Sequence, residues 1–416
     1  MRLTRPVRLD RLAERVSAGT LGPLLSLVAL VVVAALTISL VGGPVPGLGA
    51  GRGTTHGGDV PNRTPDPVVV FIPGLPRKPE IRGSIVFAKA GNLWTVRGAD
   101  VLTQLTSGGH DQYPSWSRDG ASIYYLEVKT AQGDVPCSAV PASGCIFSIV
   151  PYKLEYPVLT RMPTDGGSPT TIRSGLYSWG GGRYSYFYGL WQPAVSPDGK
   201  TVAVITDAPD PFSFDYELGF MPTGGGQLTR PPLAEDFGLG HNDPAWSPDG
   251  TLVAYTYNHR TGVLGEPRIQ LLNVRTGVSR PLTTFGYAEA SFSPDGRWIA
   301  AIKTSAKGED VVILDAATGV ELLRVTNDGH SFEPVWSPAG DQIAFLRANG
   351  LSIDLWVDTL GGSGTSFSVT KEEPLTSQSA LDGTSKPSWF IPATELAGPS
   401  NDPIPSDPGP VPSPSR

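Results

Sequence analysis

Three of the five histidines stand at related distances from a recurring aromatic position: His110 six residues before Trp116, His241 five before Trp246 and His330 six before Trp336. Asp243, Glu289 and Glu333 each stand three residues before the same position in their own stretch. Imidazoles and carboxylates gathered at one point would suit a divalent cation such as zinc or manganese. The plainer reading is that loop histidines cap backbone groups or face solvent. The sequence weighs toward it, so a metal remains an open assignment that needs convergence, and no other cofactor is implied. Asp207, Asp210, Asp215 and Glu217 crowd one hairpin without the spacing of a calcium loop, and read as a solvated acidic cluster.

A second constellation is aromatic. Tyr177, Trp179, Tyr184, Tyr186 and Trp191 flank a run of glycines at 180–182. Glycine lets such a loop bend, and exposed rings at this density form a binding patch for sugars or proteins. The alternative is a small satellite core. Signatures of hydrolysis or phosphate binding are missing: there is no Gly-x-Ser-x-Gly elbow, no His-Glu-x-x-His helix and no glycine-rich phosphate loop.

The elements that must position these groups come from one phrase written five times: Pro114-Ser-Trp-Ser-Arg-Asp-Gly120, Pro193-Ala-Val-Ser-Pro-Asp-Gly199, Pro244-Ala-Trp-Ser-Pro-Asp-Gly250, Ala290-Ser-Phe-Ser-Pro-Asp-Gly296 and Pro334-Val-Trp-Ser-Pro-Ala-Gly340. Pro387-Ser-Trp389 begins a sixth copy. Ser-Pro-Asp-Gly is a tight turn, with proline fixing φ and glycine tolerating positive φ. Apolar runs follow, such as Val202-Ala-Val-Ile205 and Ile343-Ala-Phe-Leu346, and their lack of polar alternation predicts strands covered on both faces. Equivalent positions are spaced 79, 51, 46, 44 and 53 residues apart, which predicts one four-stranded antiparallel blade per unit. Residues 85–88 and 93–96 look like inner strands lacking an opening phrase, and Pro387-Ser-Trp389 is an opening phrase lacking them. Joined, they would complete a sixth blade and leave no free edge. The expected fold is an all-β, six-bladed propeller closed by N-terminal strands joining the C-terminal strand, and preceded by one transmembrane helix.

The phrase, followed by a Val/Ile-Ala-Tyr/Phe strand, resembles the repeat of TolB-like propellers, also called WD40-like or PD40 repeats, over residues 83–392. The family includes periplasmic scaffolds, the propeller halves of prolyl oligopeptidase-like peptidases and some polysaccharide lyases, one group of which uses a histidine-lined metal site. The resemblance therefore implies fold more than activity. The ligand motif of those lyases cannot be matched residue by residue, and neither the extra domain of TolB nor a peptidase domain is found beside the repeats.

Residues 16–51 carry no ionisable side chain, and 24–41 are almost wholly apolar, long enough to span a bilayer. Five arginines against two acids give the first 20 residues a net +3, which places them inside the cell. The organisation expected is a cytoplasmic segment (1–20), a transmembrane helix (21–42), a Gly/Pro-rich linker (43–80), the propeller (81–392, with an insertion at about 131–157) and a disordered Pro/Ser tail (393–416). A cleaved signal peptide is the competing reading of the apolar stretch, against its length. With a formal charge of −7 overall, the remainder carries −10, which argues against a nucleic-acid surface. Together these features point to a cell-membrane, single-pass, extracytoplasmic propeller that is a non-enzymatic binding module for a protein or envelope glycan. The alternative is a metal-dependent polysaccharide lyase or hydrolase at a His-lined mouth.

Both cysteines, Cys137 and Cys145, fall in the insertion, and export predicts a disulfide between them, the alternative being two reduced buried thiols. Thiol titration of the denatured, exported protein is expected to find no free thiol without reductant and both with it. Equal counts under the two conditions would establish the reduced pair.

Overall fold

The computed structural model describes residues 81–396 apart from 99–100, 137–148, 180–181, 183, 210–214, 234–237, 262–263 and 364–365. The expected cytoplasmic segment, membrane helix and linker, both cysteines and the tail beyond residue 396 lie outside the described residues. Among the described residues, no helix is long and apolar enough to cross a membrane.

Six antiparallel sheets carry the repeats, and each phrase ends the first strand of its sheet. The first blade holds Asp111–Trp116, Ser122–Pro136, Ile149–Pro163 and Thr170–Ser174 in that order. The third, fourth and fifth repeat this up-and-down order, beginning at Gly238–Trp246, Tyr287–Phe292 and Ser331–Trp336. The closing blade draws on both ends of the propeller: Ser388–Phe390 pairs antiparallel with Ser84–Lys89, setting Val86 opposite Ser388 and Ile85 opposite Trp389. The fold is thus a closed six-bladed propeller, as the repeat predicts.

Burial explains why the runs after each turn are uniformly apolar. Alternate residues of one strand enter different seams: Val202 and Val204 pack against the first blade with Tyr124 and Leu126, whereas Ala203 and Ile205 pack against the third with Val253 and Tyr255. The pattern recurs around the ring, giving six apolar clusters for six seams. Side chains one residue apart point to opposite faces, so every central strand needs a neighbour on both sides.

The turn is held by its own residues. Ser117, Ser196, Ser247 and Ser293 each donate Oγ–H to the Asp two residues on at 2.6–2.7 Å, and the following glycine N–H bonds the serine carbonyl at 2.9 Å. The serine hydroxyl holds Asp119, Asp198 and Asp249 below the usual carboxylate range. Ala339 replaces the Asp in the fifth copy.

Two expectations need correction. The second blade has three strands, Trp191–Val195, Thr201–Thr206 and Glu217–Pro222, and a single bridge from Phe220 to Thr229 stands in for the fourth. Gly224–Gly226 and the proline pair at 231–232, which cannot donate to a ladder, explain the loss. The first-blade insertion, where it is described, lengthens the blade: its two 15-residue strands pair without interruption from Ser122–Pro163 to Pro136–Ile149. The tail begins later than residue 393: Ala393–Leu396 form a helical turn (α1), in which Glu395 accepts from Gly83 N at 2.8 Å and pairs with Arg97 at 3.0 Å.

Gly120 and Gly199 occupy the same turn position at φ of 70°, but a Cβ at Gly120 would overlap the Phe390 ring whereas one at Gly199 meets nothing. Gly199→Ala is expected to cost about 1–2 kcal/mol of backbone strain, and Gly120→Ala clearly more, because it also displaces the closing strand. Equal losses in denaturant unfolding would show that Phe390 yields freely.

Candidate functional site

Five non-glycine residues share one unusual backbone conformation at one repeat position. Tyr113, Gln192, Asp243, Glu289 and Glu333 have φ of 53°, 49°, 54°, 58° and 51°, each three residues before the aromatic position of the phrase. Lys386 holds the sixth equivalent place. The ladder register slips at each of the five, from Gln112/Ser115 round to Phe332/Val335, so each is the extra residue of a β-bulge. A bulge leaves its residue unpaired and re-aims its side chain. Left-handed backbone at a residue with a Cβ costs roughly 1–2 kcal/mol, and such strain clusters at functional positions.

The re-aimed side chains bind one another. Gln192 donates Nε2–H to Asp243 Oδ1 at 2.6 Å while its Oε1 accepts from Asp243 N at 2.9 Å. Thr256 donates to Asp243 Oδ2 at 3.1 Å and accepts from Glu289 N at 3.1 Å, and Glu289 Oε2 accepts from Glu333 N at 2.5 Å. Lys386 Nζ donates to the carbonyls of Glu289 and Ala290 at 3.1 Å and lies 4.0 Å from Glu333 Oε2. Three carboxyls thus face one ammonium, and Glu333 Oε2 is buried without a hydrogen-bond partner. Burial pushes all three carboxyls up, and repulsion from neighbouring carboxylates adds to the rise at Glu289, which stands at about 8, and at Glu333. The Lys386 ammonium opposes the shift.

Two cavities receive residues from all six blades and so lie along the ring's centre. The smaller, about 210 Å³, is bounded by Tyr113, Gln192, Asp243 and Lys386 together with phrase residues. The larger, about 480 Å³, is walled by Trp116, Trp246, Phe292, Trp336 and Trp389, with the turn prolines Pro197, Pro248, Pro294 and Pro338. One end of the passage is therefore charged, and the other aromatic.

The predicted site residues divide. Asp243, Glu289 and Glu333 come together, joined by Tyr113, Gln192 and Lys386, which chemistry-led reading passed over although the same three-residue offset marks them. The histidines do not join them. His241 is buried in a seam, its Nδ1 accepting from Leu218 N at 3.0 Å and its ring 4.8 Å from that of Tyr255. His110 and His330 are exposed, and their carbonyls accept from Val128 and Ala348 N at 2.9 Å. Among the described residues, no group of three or more His, Cys, Asp or Glu stands so as to hold a metal ion.

Much of the aromatic loop is packed. Leu176–Trp179 and Tyr184–Phe187 form a hairpin beside the lengthened first blade. Tyr177 stacks on buried Tyr188 at 5.6 Å, Tyr186 on Phe187 at 5.1 Å, and Trp191 meets Tyr113 edge-on at 6.3 Å. The side chains of Trp179 and Tyr184 lie outside the described residues. The acidic hairpin is not the solvated cluster expected: Asp207 is buried, accepting from Gly189 N at 2.6 Å, and Glu217 pairs with Arg230. Asp215 is exposed, and Asp210 lies outside the described residues.

No protein-family model matches the chain. Among solved structures, TolB from Acinetobacter baumannii is similar with a TM-score of 0.52 and 20% identity, over 74% of this chain and 67% of that one. A chain of a nidogen/laminin complex gives 0.50 and 12%, over 74% and 98%. At such identities the likeness shows the propeller fold alone. Dipeptidyl-peptidase 5 of Porphyromonas gingivalis is 28% identical over 36% of this chain, and the match spans about a quarter of that protein (24%).

A carboxyl whose folded pKa is raised holds its proton after the unfolded chain has released it. Its contribution is intact below the unfolded value and is lost as pH rises through the folded one. For Glu289 that window runs from 4.5 to about 8. Off the channel, buried Asp358 has no partner for either carboxylate oxygen, and burial pushes it up to about 7 from 3.8. Thermal stability is therefore expected to fall from pH 5 to pH 8, and Glu289→Gln and Asp358→Asn should each flatten part of that fall. A stability that rises with pH in the parent protein would contradict the assignment.

Proposed function

We propose that this chain is a non-enzymatic binding module that grips a protein or a cell-envelope glycan at the aromatic mouth of its propeller. The observation that carries the reading is the cavity of about 480 Å³, to which five blades contribute the same turn and the closing blade contributes Ser388–Ile391 and the helical turn after it. Rings and prolines offer apolar faces, while Arg118 and Asp119 at the rim supply charge. Such a concave surface, mostly apolar with a few polar groups, suits recognition. A passage bounded by an interlocked ring of side chains offers walls rather than a free nucleophile. The metal-dependent lyase or hydrolase alternative gains no support from the histidines, since His241 is committed to a seam. We further propose that residues 21–42 anchor the chain in the cell membrane with the N-terminus cytoplasmic, and that 43–80 space the propeller from the outer surface of that membrane.

The test is capture of envelope proteins and glycans by the tagged full chain, compared with Phe292→Ala and Trp246→Phe. The second keeps an aromatic ring against Phe220 but loses the indole N–H bond to Ala194 O. A specific partner should be lost by about tenfold in at least one variant, as for an aromatic anchor, with the unfolding temperature preserved. Undiminished capture by both would overturn the mouth as the site. A reporter active only outside the cytoplasm, fused after residue 416, should be active; silence would overturn the address.

A further inference from the structure

The aromatic mouth has a candidate occupant within the chain itself. Helix α1, Ala393–Leu396, is fixed to the propeller through Glu395, and both Ala393 and Leu396 line the larger cavity. Leu396 is 41% exposed at that rim and is the last described residue, so the described part of the chain ends beside the opening. The 20 residues that follow include seven prolines, at 399, 403, 405, 408, 410, 412 and 414, with Asp402 and Asp407 among them. Proline-rich chains dock in grooves walled by aromatic rings, because an extended polyproline helix is already ordered before it binds. Walls of tryptophan, phenylalanine and proline fit such a segment.

We propose that residues 397–416 seat in this cavity as an internal ligand, which an external partner must displace. This rests on the reading of the mouth as a binding surface and adds its regulation. Polyproline covers about 3 Å per residue, so only part of the segment is needed to cross the opening. Tethering at the rim raises its effective concentration to about the millimolar range, so a weak contact keeps the mouth filled. A partner of modest affinity is then excluded, and one that also engages surface outside the cavity is admitted.

The experiment is titration of a synthetic peptide of residues 397–416, followed by tryptophan fluorescence, into the full chain and into a chain ending at Leu396. That shortened chain keeps every strand and Glu395. Saturable binding to the shortened chain, about tenfold weaker to the full chain, supports the proposal, because the tethered copy competes. A peptide carrying Pro403→Ser, Pro405→Ser, Pro408→Ser and Pro410→Ser should bind the shortened chain about tenfold more weakly. No binding to the shortened chain, or equal binding to both, overturns the proposal. Should the shortened chain fail to fold, the same four substitutions in the full chain take its place, and that variant should bind the wild-type peptide about tenfold more tightly than the parent does. Partner capture without peptide binding would sink the tail and spare the binding module; peptide binding without any partner would do the reverse.

Discussion

Closure rests on a short strand. Ser388–Phe390 pair with the N-terminal strand over three residues only, helped by a single bridge from Leu381 to Lys89 and by the Asp382 carboxylate, which accepts from Ala90 N and Gly91 N, and every seam depends on the ring they complete. A blade has no core of its own: its central strands divide their apolar side chains between two neighbours, and a buried Val, Leu or Ile is worth roughly 1.5–3 kcal/mol. Opening the ring would expose two such faces at once, and two sheet edges with them. Contacts beyond the ladder reinforce so short a strand. Trp389 Nε1 donates to Arg82 O at 2.8 Å, Ser388 Oγ accepts from Trp116 N at 3.1 Å, and Arg82 pairs with Asp341 across the adjoining seam at 2.8 Å. The same serine-to-backbone bond recurs from Ser115 to Val195 and from Ser291 to Trp336, so the closing seam is built as the others are.

The ring of bulged residues is the second consequence of that geometry. Six strands converge on one axis, and whatever the bulges present must share a small space. Uncompensated like charges cannot all remain ionised there, and burial with mutual repulsion drives protons onto the carboxyls. Lys386 is the one cation among the six positions, and it comes from the closing blade. Strand pairing at the ring's joint therefore also delivers the charge that makes the acidic sector tolerable.

The blades, their number and the joint were legible because a turn of fixed chemistry repeats at blade-sized intervals and its aromatic always falls at the same depth. The carboxylates were legible for the same reason. The histidines are equivalent by count alone, not by the face they occupy. His110 and His330 lie six before the aromatic, just outside the strands Asp111–Trp116 and Ser331–Trp336, whereas His241 lies five before, within Gly238–Trp246, where it pairs with Tyr257. In a strand a shift of one turns a side chain to the opposite face, so residues that look equivalent by count do not face the same way. Tyr113, Gln192 and Lys386 escaped notice because acids were sought, whereas the shared property is backbone conformation, which residue type does not reveal. The lost strand of the second blade was written in its glycines and in the proline pair at 231–232, and was masked by the strength of the repeat elsewhere.

The bulges also separate the vocabulary of the passage from the grammar of the scaffold. A residue left out of the ladder makes no strand pair, so its side chain can be exchanged without breaking the ladder on either side of it. Phenol, amide, carboxylate and ammonium already occupy equivalent places on nearly identical frames. Drift or selection can therefore rewrite the interior one blade at a time, which makes this architecture readily diversified into relatives that share a shape and differ in what they recognise.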